Sequence, residues 1–113
     1  MTDAQDPHGA PRPRVTVFRS RLRHDAAGYD ETAAAIEARA RQAPGFVDFK
    51  TFVADDGERA SIVVFATPAA HDAWRRDVEH RDAQRRGRED WYAEYLIQVC
   101  DLVAERRFPD PAP

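Results

Sequence analysis

Two predicted β-strands carry apolar side chains on both of their faces, and this constrains the fold more than any other feature of the sequence. The segments are Arg59 to Ala66 and Tyr92 to Val103. An antiparallel sheet with one solvated face should alternate apolar with polar residues. We therefore expect both faces of this sheet to be covered. In the first strand Ala60, Ile62, Val64 and Ala66 point one way and Ser61, Val63 and Phe65 the other, and in the second strand Tyr95, Ile97 and Val99 oppose Leu96, Cys100 and Leu102.

The remaining pattern predicts two further strands and two helices. Val15 to Leu22 and Phe46 to Val53 are rich in β-branched and aromatic residues, as strands are. Apolar residues recur at helical spacing from Tyr29 to Ala40, with Asp25 as the expected N-cap. Thr67 and Pro68 begin a second helix. The order β-α-β-β-α-β predicts an α+β, ferredoxin-like fold with a four-stranded antiparallel sheet.

The two helices can cover only one face of such a sheet. The simplest cover for the second apolar face is another copy of the same sheet. The sequence therefore predicts a homodimer.

The chain of 113 residues has room for one domain. Residues 1–13 contain several Pro and Gly residues and few apolar ones, which predicts a flexible arm, and residues 108–113 predict a flexible tail. The domain is expected to span residues 14–107.

Charge and composition argue against several classes of function. The net charge of −3 does not favour nucleic acid as a partner, and no apolar run approaches the length of a membrane helix. The N-terminus lacks a secretory signal pattern, so we expect a cytoplasmic protein. Cys100 is the single cysteine, and His71, Asp77 and His80 do not match a known metal-ligand spacing. We expect no metal site.

Two residues are candidates for chemistry. Trp74 lies on the second helix among alanines, where a large indole either fills a gap in the core or walls a cavity. His80 follows six residues later, and is either a proton carrier or a surface histidine paired with a neighbouring carboxylate. His71 is placed on the polar side of the same helix and given no role.

The chain combines the element order β-α-β-β-α-β with Pro44-Gly45-Phe46, Ile62-Val63-Val64-Phe65, Ala73-Trp74-Arg75, Glu79-His80 and the strand from Tyr92 to Cys100. Together these features resemble the antibiotic biosynthesis monooxygenase family. The resemblance covers about residues 14–107. It implies a dimer whose sheets pack into a β-barrel, with the ligand cleft between sheet and helices. Members of the family oxidise aromatic polyketide intermediates without flavin or metal, oxidise quinols, or break open haem, and many have no known activity.

The site residues of the family match this chain only in part. Trp74 falls at the family tryptophan. The haem-degrading members use a His ten residues later, which is Gln84 here, and an Asn on strand one near Ser20, although this chain contains no Asn. In the quinone-forming members the tyrosine position falls at His80. Haem degradation is disfavoured, because Gln84 stands at the position of the haem-ligating His and the chain has no Asn.

The resemblance and the residues together favour a cofactor-independent monooxygenase that acts on a phenol, quinol or polyketide-like aromatic molecule. His80 would be the base, and Arg19 or Arg21 would steady the anion. A non-catalytic protein that binds small molecules stays open as the alternative, with a haem-binding protein as a weaker third. The expected site residues are His80 and Trp74 for catalysis, and Phe18, Arg19, Arg21, Phe65 and Gln84 for substrate binding.

Overall fold

In the part of the chain that the structure describes, four strands and the two α-helices between them follow the predicted order β-α-β-β-α-β. The computed structural model describes residues 12–77, 81–82 and 85–110. A short π-helix, Gly87–Trp91, precedes the last strand. The elements are β1 (Arg14–Leu22), α1 (Tyr29–Gln42), β2 (Phe46–Val53), β3 (Arg59–Phe65), α2 (Pro68–Arg75) and β4 (Tyr92–Asp101).

The strands form one antiparallel sheet in the order β2-β3-β1-β4. Phe18 at the middle of β1 lies opposite Ser61 of β3 and Ile97 of β4. This register places the even-numbered residues of β1 on the same face as the odd-numbered residues of β3 and β4. The predicted α+β, ferredoxin-like fold is confirmed.

The two helices pack on one face of the sheet. Ala40 of α1 and Trp74 of α2 join Val63 and Phe65 of β3 in the buried core. Alanines on α1 let the helix lie close to the sheet. Among the described residues, no helix covers the opposite face, where Phe52 is 48% exposed and Leu96 is 47% exposed. None of the described helices is long and apolar enough to cross a membrane.

The start of α2 follows the prediction, whereas the start of α1 does not. The Thr67 hydroxyl accepts a hydrogen bond from the backbone N–H of Ala70 at 3.1 Å, directly before Pro68. Helix α1 begins at Tyr29, after Gly28 at φ 83°, so Asp25 is not its N-cap. Asp25 instead accepts, through its carbonyl, from the N–H of Ala27, which closes a turn before the helix.

The ladder between β1 and β4 includes one residue of the predicted arm. Pro13, which the sequence assigns to the arm, accepts a hydrogen bond from Leu102 N at 2.9 Å, so the ladder between β1 and β4 extends past Arg14. Residues 1–11 and 111–113 lie outside the described residues, as do 78–80 and 83–84.

Gly45 holds the turn between α1 and β2 in a conformation that only glycine adopts easily. Its φ is +82°, and an added Cβ would lie 2.6 Å from the Cβ of Ala70. We expect Gly45→Ala to lower the free energy of unfolding by at least about 1–2 kcal/mol from the backbone alone, and by more from the clash. Thermal unfolding measures this. Gly57→Ala is the matched control, because Gly57 has φ +92° with nothing within 4 Å of an added Cβ. Equal losses in the two variants would contradict the close approach of Gly45 to α2.

Candidate functional site

A cavity of about 500 Å³ lies between α1 and the helix-facing side of the sheet. Its volume falls in the range of small-molecule sites. Aromatic and aliphatic side chains form most of the wall, and a few polar groups interrupt it. The lining residues are Thr16, Phe18, Tyr29, Asp30, Thr32, Ala33, Ala34, Ile36, Glu37, Phe49, Thr51, Arg59, Ser61, Val63, Trp74, Arg75, Trp91, Tyr92, Tyr95 and Ile97.

Trp74 both fills the core and lines the cavity. It is 7% exposed, and its ring stacks on Phe65 with centroids 5.2 Å apart and an interplanar angle of 25°. The sequence left open whether this indole fills a core gap or walls a cavity, and the structure shows that it does both. Phe65 is fully buried behind it and is absent from the cavity lining, so Phe65 supports the wall.

Three tyrosines gather around Phe18 at the β4 side of the cavity. Phe18 packs against Tyr92 and Tyr95, with ring centroids at 5.3 and 5.7 Å, and Tyr29 of α1 meets Tyr92 at 5.9 Å. Burial raises the pKa of Tyr92, and a hydrogen bond with Tyr29 adds to the effect. Tyr92 therefore stays a neutral phenol and offers a hydrogen-bonding group within an aromatic wall.

The π-helix packs beside the tyrosines that line the cavity and holds them in position. Trp91 is 3% exposed, and its Nε1 donates to the carbonyl of Ala27 at 3.0 Å, which ties the π-helix to the start of α1. Gly87 lies so close to Tyr92 that an added Cβ would be 2.5 Å from a ring carbon. A π-helix is often found beside a functional site, and here it sets the position of two residues of the lining.

Arg59 brings a positive charge into the cavity. It stands at the start of β3 on the helix-facing side, and its guanidinium carbon lies 5.6 Å from the centroid of the Tyr29 ring. Its Nε is buried and has no hydrogen-bond partner among the described residues. A buried donor without a partner is costly, so an anionic or oxygen-bearing ligand would find a ready donor here.

The predicted anion ligands Arg19 and Arg21 do not reach the cavity. Both are odd-numbered residues of β1 and leave the sheet on the face opposite to the helices. Arg19 forms two hydrogen bonds with Glu58, at 2.8 and 2.9 Å, and Arg21 donates to Asp56 at 2.7 Å. The prediction for these two residues was wrong because strand alternation, which fixes the face, was not applied to β1.

The other predicted site residues divide into two groups. Trp74 and Phe18 both line the cavity, and their catalytic and binding roles stay predictions. His80 and Gln84 lie outside the described residues, so their roles stay predictions.

His71 is the residue that the sequence reading placed wrongly. It is fully buried against the sheet, with its Nε2 2.6 Å from the Thr16 hydroxyl, and does not lie on the polar side of α2. The signal was present: His71 precedes Trp74 by three residues, and residues three apart share one helix face. Arg59 could have been found in the same way, since it alternates with Ser61 and Val63 on the inner face of β3.

The comparisons with known proteins agree with this architecture. No family model matches the chain. The uncharacterized protein YqjZ of Bacillus subtilis is 29% identical over 96 residues, which is 85% of this chain and 84% of YqjZ. SnoaB from Streptomyces nogalater, a cofactor-independent oxygenase, has a TM-score of 0.70 and 16% identity, over 88% of this chain and 99% of SnoaB. A Nitrosomonas europaea protein provisionally assigned as an antibiotic biosynthesis monooxygenase has a TM-score of 0.69 and 13% identity, over 87% and 93% of the two chains.

The chain has the fold of the antibiotic biosynthesis monooxygenases. The resemblance read from the sequence is thus confirmed at the level of the fold. At 13–16% identity these structures share the fold with this chain.

Proposed function

We propose that the protein is a cofactor-independent monooxygenase that oxidises a phenolic or quinol-like aromatic molecule with dioxygen. The observation that carries this proposal is the cavity of about 500 Å³ whose aromatic wall contains a guanidinium with a buried, unpartnered Nε. Flat apolar walls suit a planar aromatic ring. A cation at one edge suits the phenolate that such an oxidation needs.

The substrate itself can supply all the electrons for this reaction. In a hydroxyanthrone, a ring CH₂ becomes a carbonyl, one oxygen atom of O₂ enters the product, and the other leaves as water. A phenolate gives up an electron to oxygen more easily than a phenol does, so the enzyme must hold the ionised form. Arg59 would stabilise that charge within a wall of low polarity, in the role that the sequence assigned to Arg19 or Arg21.

His80 is proposed as a base for the phenolic proton, and Gln84 as a polar contact to the substrate. Both proposals come from the sequence. Trp74 and Phe18, which both line the cavity, would hold the substrate ring against the sheet.

Oxygen uptake with a panel of hydroxyanthrones and quinols tests the proposed function. The assay contains a metal chelator and is run beside a protein-free control for each compound. We expect uptake proportional to protein concentration, together with quenching of tryptophan fluorescence, because Trp74 and Trp91 both line the cavity. Quenching without uptake would instead indicate the non-catalytic binding protein that the sequence leaves open.

Arg59→Gln should weaken binding of the ionised substrate. Hydrogen bonds to charged groups contribute about 1.5–3 kcal/mol, so we expect KM to rise about tenfold or more. Arg19→Gln is the matched control, since Arg19 is also an arginine of the sheet but leaves from the opposite face. An unchanged KM for Arg59→Gln, or an equal rise for Arg19→Gln, would contradict the assignment of the anion site.

We also propose that the protein is a homodimer through the open face of the sheet. On this face Phe52 is 48% exposed, and Leu96 of the edge strand β4 is 47% exposed. A long, exposed apolar edge strand favours association. A shared sheet core should bury about 2,000 Å² or more. Light scattering at micromolar concentration is expected to give twice 12.8 kDa, and a stable monomer would contradict the proposal.

A further inference from the structure

A buried histidine stands directly behind the wall of the cavity. His71 of α2 is fully buried, and its ring lies 6.2 Å from Phe65 and 5.8 Å from Trp74, measured between centroids. Its Nε2 is 2.6 Å from the Oγ1 of Thr16. Thr16 is 7% exposed and belongs to the cavity lining. The threonine hydroxyl therefore connects the histidine with the ligand space.

The hydroxyl of Thr16 can pass a proton from a group in the cavity to His71. A threonine hydroxyl has one proton to donate and two lone pairs that accept. When Oγ1 donates to Nε2 of a neutral imidazole, its lone pairs are left to accept a proton from a group in the cavity. A hydroxyl of a bound aromatic substrate is the group that the cavity would bring there.

The other ring nitrogen of His71, Nδ1, lies on the side of Asp72. Nδ1 of His71 is buried and has no hydrogen-bond partner among the described residues. The nearest carboxylate oxygen, Oδ1 of Asp72, lies 3.7 Å away, and the Asp72 side chain is 47% exposed. A buried ring nitrogen that only packs would normally be hydrogen bonded. The imidazole ring lies between the Thr16 hydroxyl and the Asp72 carboxylate, and a closer approach of Asp72 to Nδ1 would complete a path toward solvent.

We propose that Thr16 and His71 accept a proton from a hydroxyl of the bound substrate. The proposal rests on the proposed function, in which the substrate hydroxyl must lose its proton before the ring gives an electron to oxygen. The substrate O–H bond breaks and its proton goes to Oγ1 of Thr16, while the Thr16 proton goes to Nε2 of His71. The products are a phenolate and an imidazolium, and the imidazolium proton is used later, when the oxygen atom that does not enter the product leaves as water. Thr16 is the residue that touches substrate, and His71 acts through it.

Burial and the neighbouring charges keep the His71 ring neutral, so that a ring nitrogen is free of a proton. Burial lowers the pKa of His71, and the positive charges of Arg14 and Arg75 lower it further, whereas Asp72 raises it. The ring is therefore neutral at pH 7, and loses this capacity as the pH falls below its lowered pKa. Once protonated, the imidazolium would be stabilised by Asp72.

The experiment measures ionisation of a bound phenol under nitrogen, so that oxidation cannot interfere. The probe is 1,8-dihydroxyanthrone, whose phenolate absorbs at longer wavelength than the phenol. Thr16→Val removes the hydroxyl at nearly constant volume, and Thr16→Ser keeps it. We expect Thr16→Val to raise the pH at which the bound probe ionises by about 1 unit or more, with Thr16→Ser close to the wild type. His71→Asn should shift it in the same direction.

The outcomes separate this inference from the proposed function. Equal ionisation of the probe by the wild type and Thr16→Val, with the probe bound to both, would overturn the role of Thr16 and His71 and leave the oxygenase proposal standing. A wild-type protein that does not bind the probe would overturn both. Circular dichroism of each variant shows that it is folded. If Thr16→Ser ionises the probe as the wild type does, the effect of Thr16→Val comes from loss of the hydroxyl and not from a disturbed core. Serine keeps the hydroxyl but lacks the methyl group with which threonine packs.

Discussion

Replacing Trp74 by Ala should lower the free energy of unfolding by about 3–5 kcal/mol, the usual cost of removing a large buried aromatic side chain. The indole is 7% exposed and stacks on Phe65, so the truncation leaves an empty space at the centre of the core. Urea denaturation at neutral pH measures the change. Because the cavity wall is lost together with the core contact, the same variant should also lose binding of aromatic ligands.

Trp74→Phe is the matched variant that separates these two effects. A phenyl ring keeps most of the contact with Phe65, but it is smaller than the indole and so covers less of the cavity wall. We expect a loss of stability well below that of Trp74→Ala, with binding still reduced. A loss under about 1 kcal/mol for Trp74→Ala would show that this side chain does not hold the core in the way its stacking on Phe65 indicates.

Replacing His80 by Ala should lower turnover about 10²-fold or more if this residue is a base for the substrate. The prediction comes from the sequence, in which a titratable group follows Trp74 by six residues. Stability should change by no more than about 0.5 kcal/mol if the histidine is on the surface. Turnover of a compound from the oxygen-uptake panel and urea denaturation check the two parts.

His24→Ala serves as the control for His80→Ala, because His24 is an exposed histidine that follows β1 and is absent from the cavity lining. Full activity in His80→Ala would remove this residue from the mechanism. The path through Thr16 and His71 would then be the acceptor that the described residues provide.

The fold could be read from the sequence because its signals are local and agree with one another. Strand β3 is rich in β-branched and apolar residues throughout, Thr67-Pro68 marks the start of α2, and Pro44-Gly45 follows the end of α1. The start of α1 was missed because Asp25 is a good capping residue, whereas the helix begins only after Gly28. The preference of Asp for N-cap positions does not show where the turn that precedes a helix ends.

The site could be predicted only in part, since it depends on which way side chains point across the sheet. Trp74 stood out by its size among alanines, and Phe18 by its place on β1. His71 was assigned to the solvent because α2 has only eight residues, too few for its pattern to fix the buried face. Arginines are exposed as a rule, so the half-buried Arg59 does not stand out unless the alternation of β3 is followed. The register of β1 with β3 places Arg59 on the helix-facing side and Arg19 and Arg21 on the other.

The most direct test of the account is oxidation of 1,8-dihydroxyanthrone under ¹⁸O₂ by protein treated with a metal chelator. The account predicts that the quinone product gains one ¹⁸O atom at a rate proportional to protein concentration, and that Arg59→Gln lowers this rate at subsaturating substrate. Mass spectrometry of the product reads both the label and the rate. Product formed no faster than in the protein-free control, or free of ¹⁸O, would contradict the claim that this cavity carries out a cofactor-independent oxygenation.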